Sequence, residues 1–321
     1  MSKKCLITGG AGFIGSHLAE ELVRRGYEVT IVDNFYKGKN KYHNELMREM
    51  RVIPISVLDK NSIYELVDQH DVVFHLAAIL GVKTTMEKSI ELIETNFDGT
   101  RNILQAALKG KKKVVFASTS EVYGKAEPPF SEEGDRLYGA TSKIRWSYAI
   151  CKTLEETLCL GYALEGLPVT IVRYFNIYGP RAKDGPYAGV IPRFIRAALQ
   201  GEDILVYGDG EQTRCFTYVS DAVEATIRAM DEKVNGEIIN IGSENEKSIK
   251  EVAEVIKKLT NSSSKIVQVP FEEVYPHGFE EIPNRRPDVT KLKELVQFQA
   301  KVTWENGLKE TIKWFREQNN G

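Results

Sequence analysis

The sequence predicts an α/β fold, a doubly wound parallel sheet with a smaller C-terminal lobe interleaved with it. Two observations carry this. Short apolar runs at 4–8, 28–32, 52–55, 72–76, 114–118, 169–174 and 238–241 alternate with stretches of helical periodicity. Strands alternating with helices build a parallel sheet covered on both faces. The first run also passes directly into Gly9-Gly-Ala-Gly12-Phe-Ile-Gly15, a glycine-rich turn that opens a helix.

The elements come in order along the chain. Lys4-Cys-Leu-Ile-Thr8 is a strand; Ile14, Leu18 and Leu22 then recur at helical spacing, with Gly26 as a C-cap. Glu28–Val32 is the second strand and ends at Asp33. Past residue 175 the pattern changes, and loops such as Tyr178-Gly-Pro-Arg181 and Asp184-Gly-Pro-Tyr-Ala-Gly189 interrupt shorter elements. The expected division is 1–175 with 206–243 for the sheet domain, and 176–205 with 244–321 for the lobe. The lobe is expected over the C-terminal edge of the sheet, where such folds bind ligands.

Composition narrows the function. The 321 residues are 42% hydrophobic and 27% charged, with a formal net charge of −2. This is no footprint for nucleic acid. No apolar stretch reaches the roughly 20 residues that cross a bilayer. Met1-Ser-Lys-Lys leads at once into a strand, so a cleaved leader is not expected. Cys5, Cys151, Cys159 and Cys215 are scattered and the five histidines dispersed. The expectation is a cytoplasmic protein without a catalytic metal.

Three groups of residues carry chemistry. Gly9, Gly12 and Gly15 let a pyrophosphate approach the backbone at a helix N-terminus, and Asp33 suits the ribose diol of NAD while repelling a 2′-phosphate. Tyr148 and Lys152 are four residues apart on one helical face. A lysine ammonium beside the phenol favours the phenolate, whose ordinary pKa is about 10. Such a pair can take a proton from a hydroxyl while a hydride leaves the same carbon. Tyr138-Gly-Ala-Thr-Ser-Lys143 imitates it with one residue too many for a shared face. Finally Asn176, Arg181, Arg214 and either Arg285 or Arg286 supply amide and guanidinium groups for a diphosphate.

Together with His75-Leu-Ala-Ala78, Asn96–Thr100, Ser118–Gly124, Arg173–Arg181, Asn240–Ser243 and Arg285–Asp288, these motifs run almost end to end. The chain resembles an extended short-chain dehydrogenase/reductase of the NAD-dependent nucleotide-sugar epimerase/dehydratase family. The resemblance implies a Rossmann domain, bound NAD, a UDP- or dTDP-sugar oxidised at C4, and a homodimer. It implies cofactor contacts at Gly9, Gly12, Phe13, Ile14, Gly15, Asp33, Asn34, Leu58, Asp59, Leu76, Ala77, Ala78, Asn96, Tyr148 and Lys152. Substrate contacts are implied at Lys83, Asn176, Arg181, Val190, Arg193, Tyr207, Arg214, Arg285 and Arg286. Ser56 departs from the family, where many members hold the adenine amino group with an aspartate at that position.

Thr119, Ser120 and Glu121 decide the fate of the C4 ketone. Glu121 sits where family dehydratases place the base for the C5 proton. The main expectation is therefore a UDP-hexose dehydratase, acting on a sugar such as UDP-GlcNAc, that loses its C6 hydroxyl. The same Thr-Ser-Glu pattern occurs in UDP-glucuronate decarboxylases, and Arg145-Trp-Ser-Tyr148 resembles a bacterial lipid A-modifying decarboxylase. A decarboxylase, a 4-epimerase and, from another class, a non-catalytic nucleotide-binding regulator are the alternatives.

Overall fold

The structure is a computed structural model that describes residues 2–36, 50–183, 189–275 and 279–319. Most of the expected loop 184–189 lies outside the described residues.

Seven parallel strands form one sheet in the order Ile238–Ile241, Val169–Tyr174, Lys113–Thr119, Val72–His75, Lys4–Thr8, Glu28–Val32, Arg51–Ile53. Thr8 stands level with Val32 on one side and His75 on the other, so these strands end together. Their C-terminal ends form one rim. The buried faces read as near-continuous Val and Ile, as expected of strands covered on both sides. On one face Leu18, Leu22, Ile31, Phe74, Ala222 and Val223 interlock; on the other, Ile63, Val67, Ile103, Phe116 and Cys159. Burying each large aliphatic side chain stabilises the fold by about 1.5–3 kcal/mol.

Gly99 shows how closely the layers meet. A Cβ there would lie 2.5 Å from Val57 Cγ2. A second tie is polar: Arg173, fully buried, donates from Nε and Nη2 to the two carboxylate oxygens of Glu156 at 2.8 and 2.6 Å and from Nη1 to the Tyr123 hydroxyl at 2.8 Å. This fixes the 3-10 turn Ser120–Tyr123 above helix Ser147–Leu164.

The smaller lobe packs helices Val190–Gln200, Ile249–Thr260 and Trp304–Asn319 around Ile191, Phe194, Val206, Ile256, Leu308 and Phe315. Ser248 and Glu251 form a complete capping box on the middle helix. The expected boundaries need two corrections. Residue 206 falls inside strand Ile204–Tyr207, which pairs with Ile266–Val269 in the lobe. Val289, Leu292, Val296 and Phe298, in and around the short helix Thr290–Glu294, pack with the sheet's own core. The decoy Tyr138 donates its hydroxyl to Val122 O at 2.7 Å and is structural.

Candidate active site

At the rim, helix Phe13–Arg24 begins at Gly12, which has no side chain to occupy the first amides. A Cβ on Gly15 would stand 2.4 Å from Gly9 O, and one on Gly9 2.7 Å from Ala77 N. The backbone therefore lies open to an anion at Phe13, Ile14 and Gly15, with half-buried Leu76, Ala77 and Ala78 beside it. Asp33 Oδ2 accepts Ala11 N–H at 3.1 Å and Oδ1 accepts Phe35 N–H at 2.8 Å, holding the carboxylate beneath the loop. This loop fits a dinucleotide pyrophosphate.

Several expected cofactor residues have other partners. Asn34 Oδ1 accepts Tyr36 N–H. The Asp59 carboxylate caps helix Lys60–Asp68 through Ser62, and Leu58 beside it is exposed. The Asn96 amide is satisfied at both ends by Ile79, accepting its N–H at 2.7 Å and donating to its carbonyl at 2.9 Å. Asn96 thus shapes the loop after strand Val72–His75.

Tyr148 and Lys152 share one face of helix Ser147–Leu164, as their spacing predicts. Lys152 Nζ donates to Ala117 O at 3.1 Å and to Glu155 Oε2 at 2.8 Å. The expected lowering of the phenol is not found in the cofactor-free chain. Burial, then the carboxylates of Glu155 and Glu121, push Tyr148 well above the ordinary tyrosine value, against a hydrogen bond to Thr119. The physical reason is first the burial of the phenol away from water, and second the Glu155 carboxylate beside Lys152. Thr119 Oγ1 also accepts Glu121 N–H at 3.2 Å, and Ser120 beside it is buried.

Glu121 has an environment that no local motif announces. Its Oε2 lies 2.7 Å from Arg145 Nη2, and its Oε1 pairs with Arg285 Nη1. Both arginines are buried. Burial alone would raise the carboxyl; the two guanidinium groups outweigh it and hold it down at about 2. A carboxylate so stabilised is a weak base. This environment counts against the expected C5 deprotonation by Glu121.

A cleft of about 280 Å³ lies in front of this pair. Of the expected substrate residues, Asn176, Val190, Arg193, Tyr207, Arg214 and Arg285 line it. Arg214 and Arg285 face each other in register across strands Thr213–Cys215 and Asn284–Arg285. Burial first, and then Arg285, lower Arg214 to about 10, while Glu281 pairs with it at 2.7 Å. The Arg193 guanidinium lies 3.6 Å from the Tyr207 ring centre. Asn176 donates to Cys215 O at 3.0 Å.

Three expected substrate residues lie elsewhere. Arg181 turns to helix Phe13–Arg24, pairing with Glu20 at 2.6 Å. Lys83 pairs with Glu87 at 3.7 Å, while its neighbour Val82 lines the cleft. Arg286 is exposed and outside the lining, so Arg285 is the one of the two that enters. Sequence reasoning missed Arg145 as a site residue, along with Glu281 and the aromatic wall of Phe271, Tyr275 and Phe279. Arg145 had one signal, its place three residues before Tyr148.

Among the described residues no cluster of three metal-ligating side chains occurs, and no helix is long and apolar enough to cross a membrane.

Residues 5–242 match the NAD dependent epimerase/dehydratase family. The chain is 85% identical over 320 residues to the UDP-N-acetyl-alpha-D-glucosaminuronate decarboxylase of Bacillus cytotoxicus, covering all of both chains. Among solved structures it resembles the UDP-glucose 4-epimerase of Thermotoga maritima with UDP-glucose, at a TM-score of 0.89 and 32% identity over 98% of this chain and 99% of that one. It also resembles the UDP-glucuronic acid 4-epimerase of Bacillus cereus in complex with UDP-glucuronic acid and NAD, at 0.85 and 29% over the same shares. The chain belongs to the NAD-dependent epimerase/dehydratase family, and its cofactor is NAD.

Proposed function

We propose that the protein decarboxylates a UDP-hexuronate, UDP-N-acetylglucosaminuronate above all, through transient oxidation at C4. The observation that carries this is the carboxylate of Glu121 held between Arg145 and Arg285. It argues against a base for C5 and in favour of a place built for carboxylates. The relative in Bacillus cytotoxicus, 85% identical along the whole chain, supports the same substrate. Dehydration, the main expectation from sequence, has neither support.

In this reading the glycine loop and Asp33 hold NAD, which when bound exchanges the C4 hydride. Tyr148 Oη takes the proton of the C4 hydroxyl, and Lys152 and Thr119 orient the phenol. The product is a ketone one carbon away from the carbon bearing the C6 carboxylate. The C5–C6 bond then breaks, its electron pair moving to the ketone oxygen as an enolate while C6 leaves as carbon dioxide. A proton returned to C5 restores the ketone; the hydride that bound NAD would hold then returns to C4 while Tyr148 gives its proton back to the C4 oxygen, so the net loss is carbon dioxide alone. Arg145 and Arg285 orient the departing carboxylate, and Glu121 tempers their charge. A fully charged pair would stabilise the carboxylate more than the transition state in which it becomes neutral, and so slow the step. Arg193, Tyr207 and Arg214 bind the UDP moiety.

The test is product mass after incubation with UDP-N-acetylglucosaminuronate, UDP-glucuronate, UDP-N-acetylglucosamine and UDP-glucose. Loss of one carbon dioxide from an acid is the expected result. Loss of water from a neutral sugar, or an isomer of unchanged mass, would replace this reading with dehydration or epimerisation.

We further propose a cytoplasmic homodimer. Helices Ser89–Gly110 and Ser147–Leu164 expose Ile90, Ile93, Ile150 and Leu154, an apolar face suited to a second copy. The four cysteines are free thiols, in keeping with a reducing compartment.

A further inference from the structure

Helix Ser147–Leu164 carries a carboxylate that the chemistry above leaves unused. Glu155 comes seven residues after Tyr148 and three after Lys152, so all three lie on one helical stripe. It is fully buried. Its Oε2 sits 2.8 Å from Lys152 Nζ and accepts the Thr100 hydroxyl at 2.9 Å, and its Oε1 accepts the Cys151 thiol at 3.3 Å.

The row continues behind Thr100. The one hydroxyl hydrogen of Thr100 goes to Glu155, so the 3.0 Å contact with His75 Nε2 is made by the ring N–H. His75 Nδ1 then accepts the Thr8 hydroxyl at 2.6 Å. Burial, and after it Lys152, lowers His75 to about 3, so the ring is neutral and this tautomer is the one that fits. Every donor from Thr8 to Thr100 is thus polarised toward Glu155, and Thr8 immediately precedes Gly9 of the cofactor loop. A helix face that merely packed would not bury a carboxylate against the site's own lysine and aim a row of donors at it.

We propose that Glu155 is a positioning residue of the reaction, a buried counter-charge that fixes the Lys152 ammonium and governs how readily Tyr148 gives up its proton. The proposal rests on the reading of Tyr148 as the proton acceptor. The groups facing this cluster are Cys151 and Lys152 on its own helix, Glu121 from the turn Ser120–Tyr123, and His75 from strand Val72–His75. Cys159 stands one turn further along, and Glu156 turns away to Arg173. Of these, Glu155 is the anion in direct contact with the lysine.

Removing the negative charge lets Lys152 act fully on the phenol, so Tyr148 ionises at lower pH. The experiment monitors nicotinamide reduction in a single turnover of the NAD-loaded protein with UDP-N-acetylglucosaminuronate, as a function of pH. In Glu155→Gln the rising limb moves to lower pH by about one unit or more. Glu155→Asp, which keeps the charge, leaves the limb in place at a reduced rate. Thermal melting establishes that each variant is folded. Should Glu155→Gln fail to fold, Thr100→Val withdraws a donor from the carboxylate, leaves its charge less compensated, and moves the limb to higher pH by a smaller amount. A folded variant of either kind with an unmoved limb and only a lower rate overturns the proposal. Tyr148→Phe is run beside them: if it still reduces nicotinamide, the reading of Tyr148 itself falls. If it does not and the limb is unmoved, the role of Glu155 alone falls.

Discussion

Arg145 Nη2 lies 2.7 Å from Glu121 Oε2, so the arginine that precedes Tyr148 by one helical turn grips the residue whose motif presents it as a base. With Arg285 on the other oxygen, Glu121 is the shared counter-ion of two buried arginines, which in the proposed reaction bind the substrate carboxylate.

Glu121→Gln tests this directly. The amide keeps the shape but frees the positive charge of Arg145 and Arg285. The UDP-hexuronate should then bind severalfold more tightly, while kcat for carbon dioxide release falls about tenfold, or about 1.4 kcal/mol, because the carboxylate is over-stabilised before it leaves. A general base would instead show a loss of about 10²–10⁴-fold with unchanged substrate affinity. Radiometric carbon dioxide release with calorimetric binding separates the two.

Tyr148→Phe should abolish C4 oxidation and leave UDP-sugar binding nearly intact. The change removes one hydroxyl and almost no contact area, so the loss belongs in turnover. A variant that reduces nicotinamide with substrate at the wild-type rate excludes Tyr148 as the proton acceptor.

Gly15→Ala should expel NAD. Its Cβ would lie 2.4 Å from Gly9 O, a backbone atom that cannot swing aside as a side chain would. Rearranging the loop costs about 1–3 kcal/mol, and the shifted amides lose the pyrophosphate. Equilibrium dialysis of NAD against the variant, with its melting temperature, measures both effects. Wild-type affinity would show that the loop does not hold the phosphates.

Sequence alone reveals whatever depends on near neighbours along the chain. The glycine turn between strand and helix, and Tyr148 with Lys152 on one helical face, are local geometry, and the strands Lys4–Thr8, Glu28–Val32, Val169–Tyr174 and Ile238–Ile241 fall where apolar runs place them. The chemistry of Glu121 is not legible in that way. Its character is set by Arg145 and by Arg285, the latter delivered from the far end of the chain by the small sheet that pairs Thr213–Cys215 with Asn284–Arg285. Arg181 illustrates the converse. Its motif suits a phosphate, yet its side chain answers to Glu20 on a helix packed nearby. Charge partners across long sequence separations decide what an ionisable group does, and spacing does not report them.

Asp33→Ser should relax the preference for NAD over NADP. The Asp33 carboxylate, held by Ala11 N–H and Phe35 N–H, is fixed where a diol can be accepted and a phosphate dianion is repelled. Removing one like charge at a partly exposed site should narrow the ratio of the two dissociation constants by about tenfold, or about 1.4 kcal/mol. Equal binding of both cofactors by the unsubstituted protein, measured by calorimetry, would sink the assignment.

The last expectation concerns acid. His75 titrates near 6.5 when unfolded and at about 3 when folded, chiefly because burial disfavours its charged form and secondarily because Lys152 repels it. The folded state therefore binds fewer protons than the unfolded state between those values, and stability falls as pH drops from 6.5 toward 3. Above 6.5 both states hold the neutral ring and the contribution is flat. Urea midpoints should fall from about pH 7.5 to about pH 5 in the wild-type protein. His75→Gln can accept from Thr8 or donate to Thr100 without titrating, so its midpoint should be lower at about pH 7.5 and change less with pH. If the two proteins lose stability in parallel across this range, His75 is not the group that senses the acid.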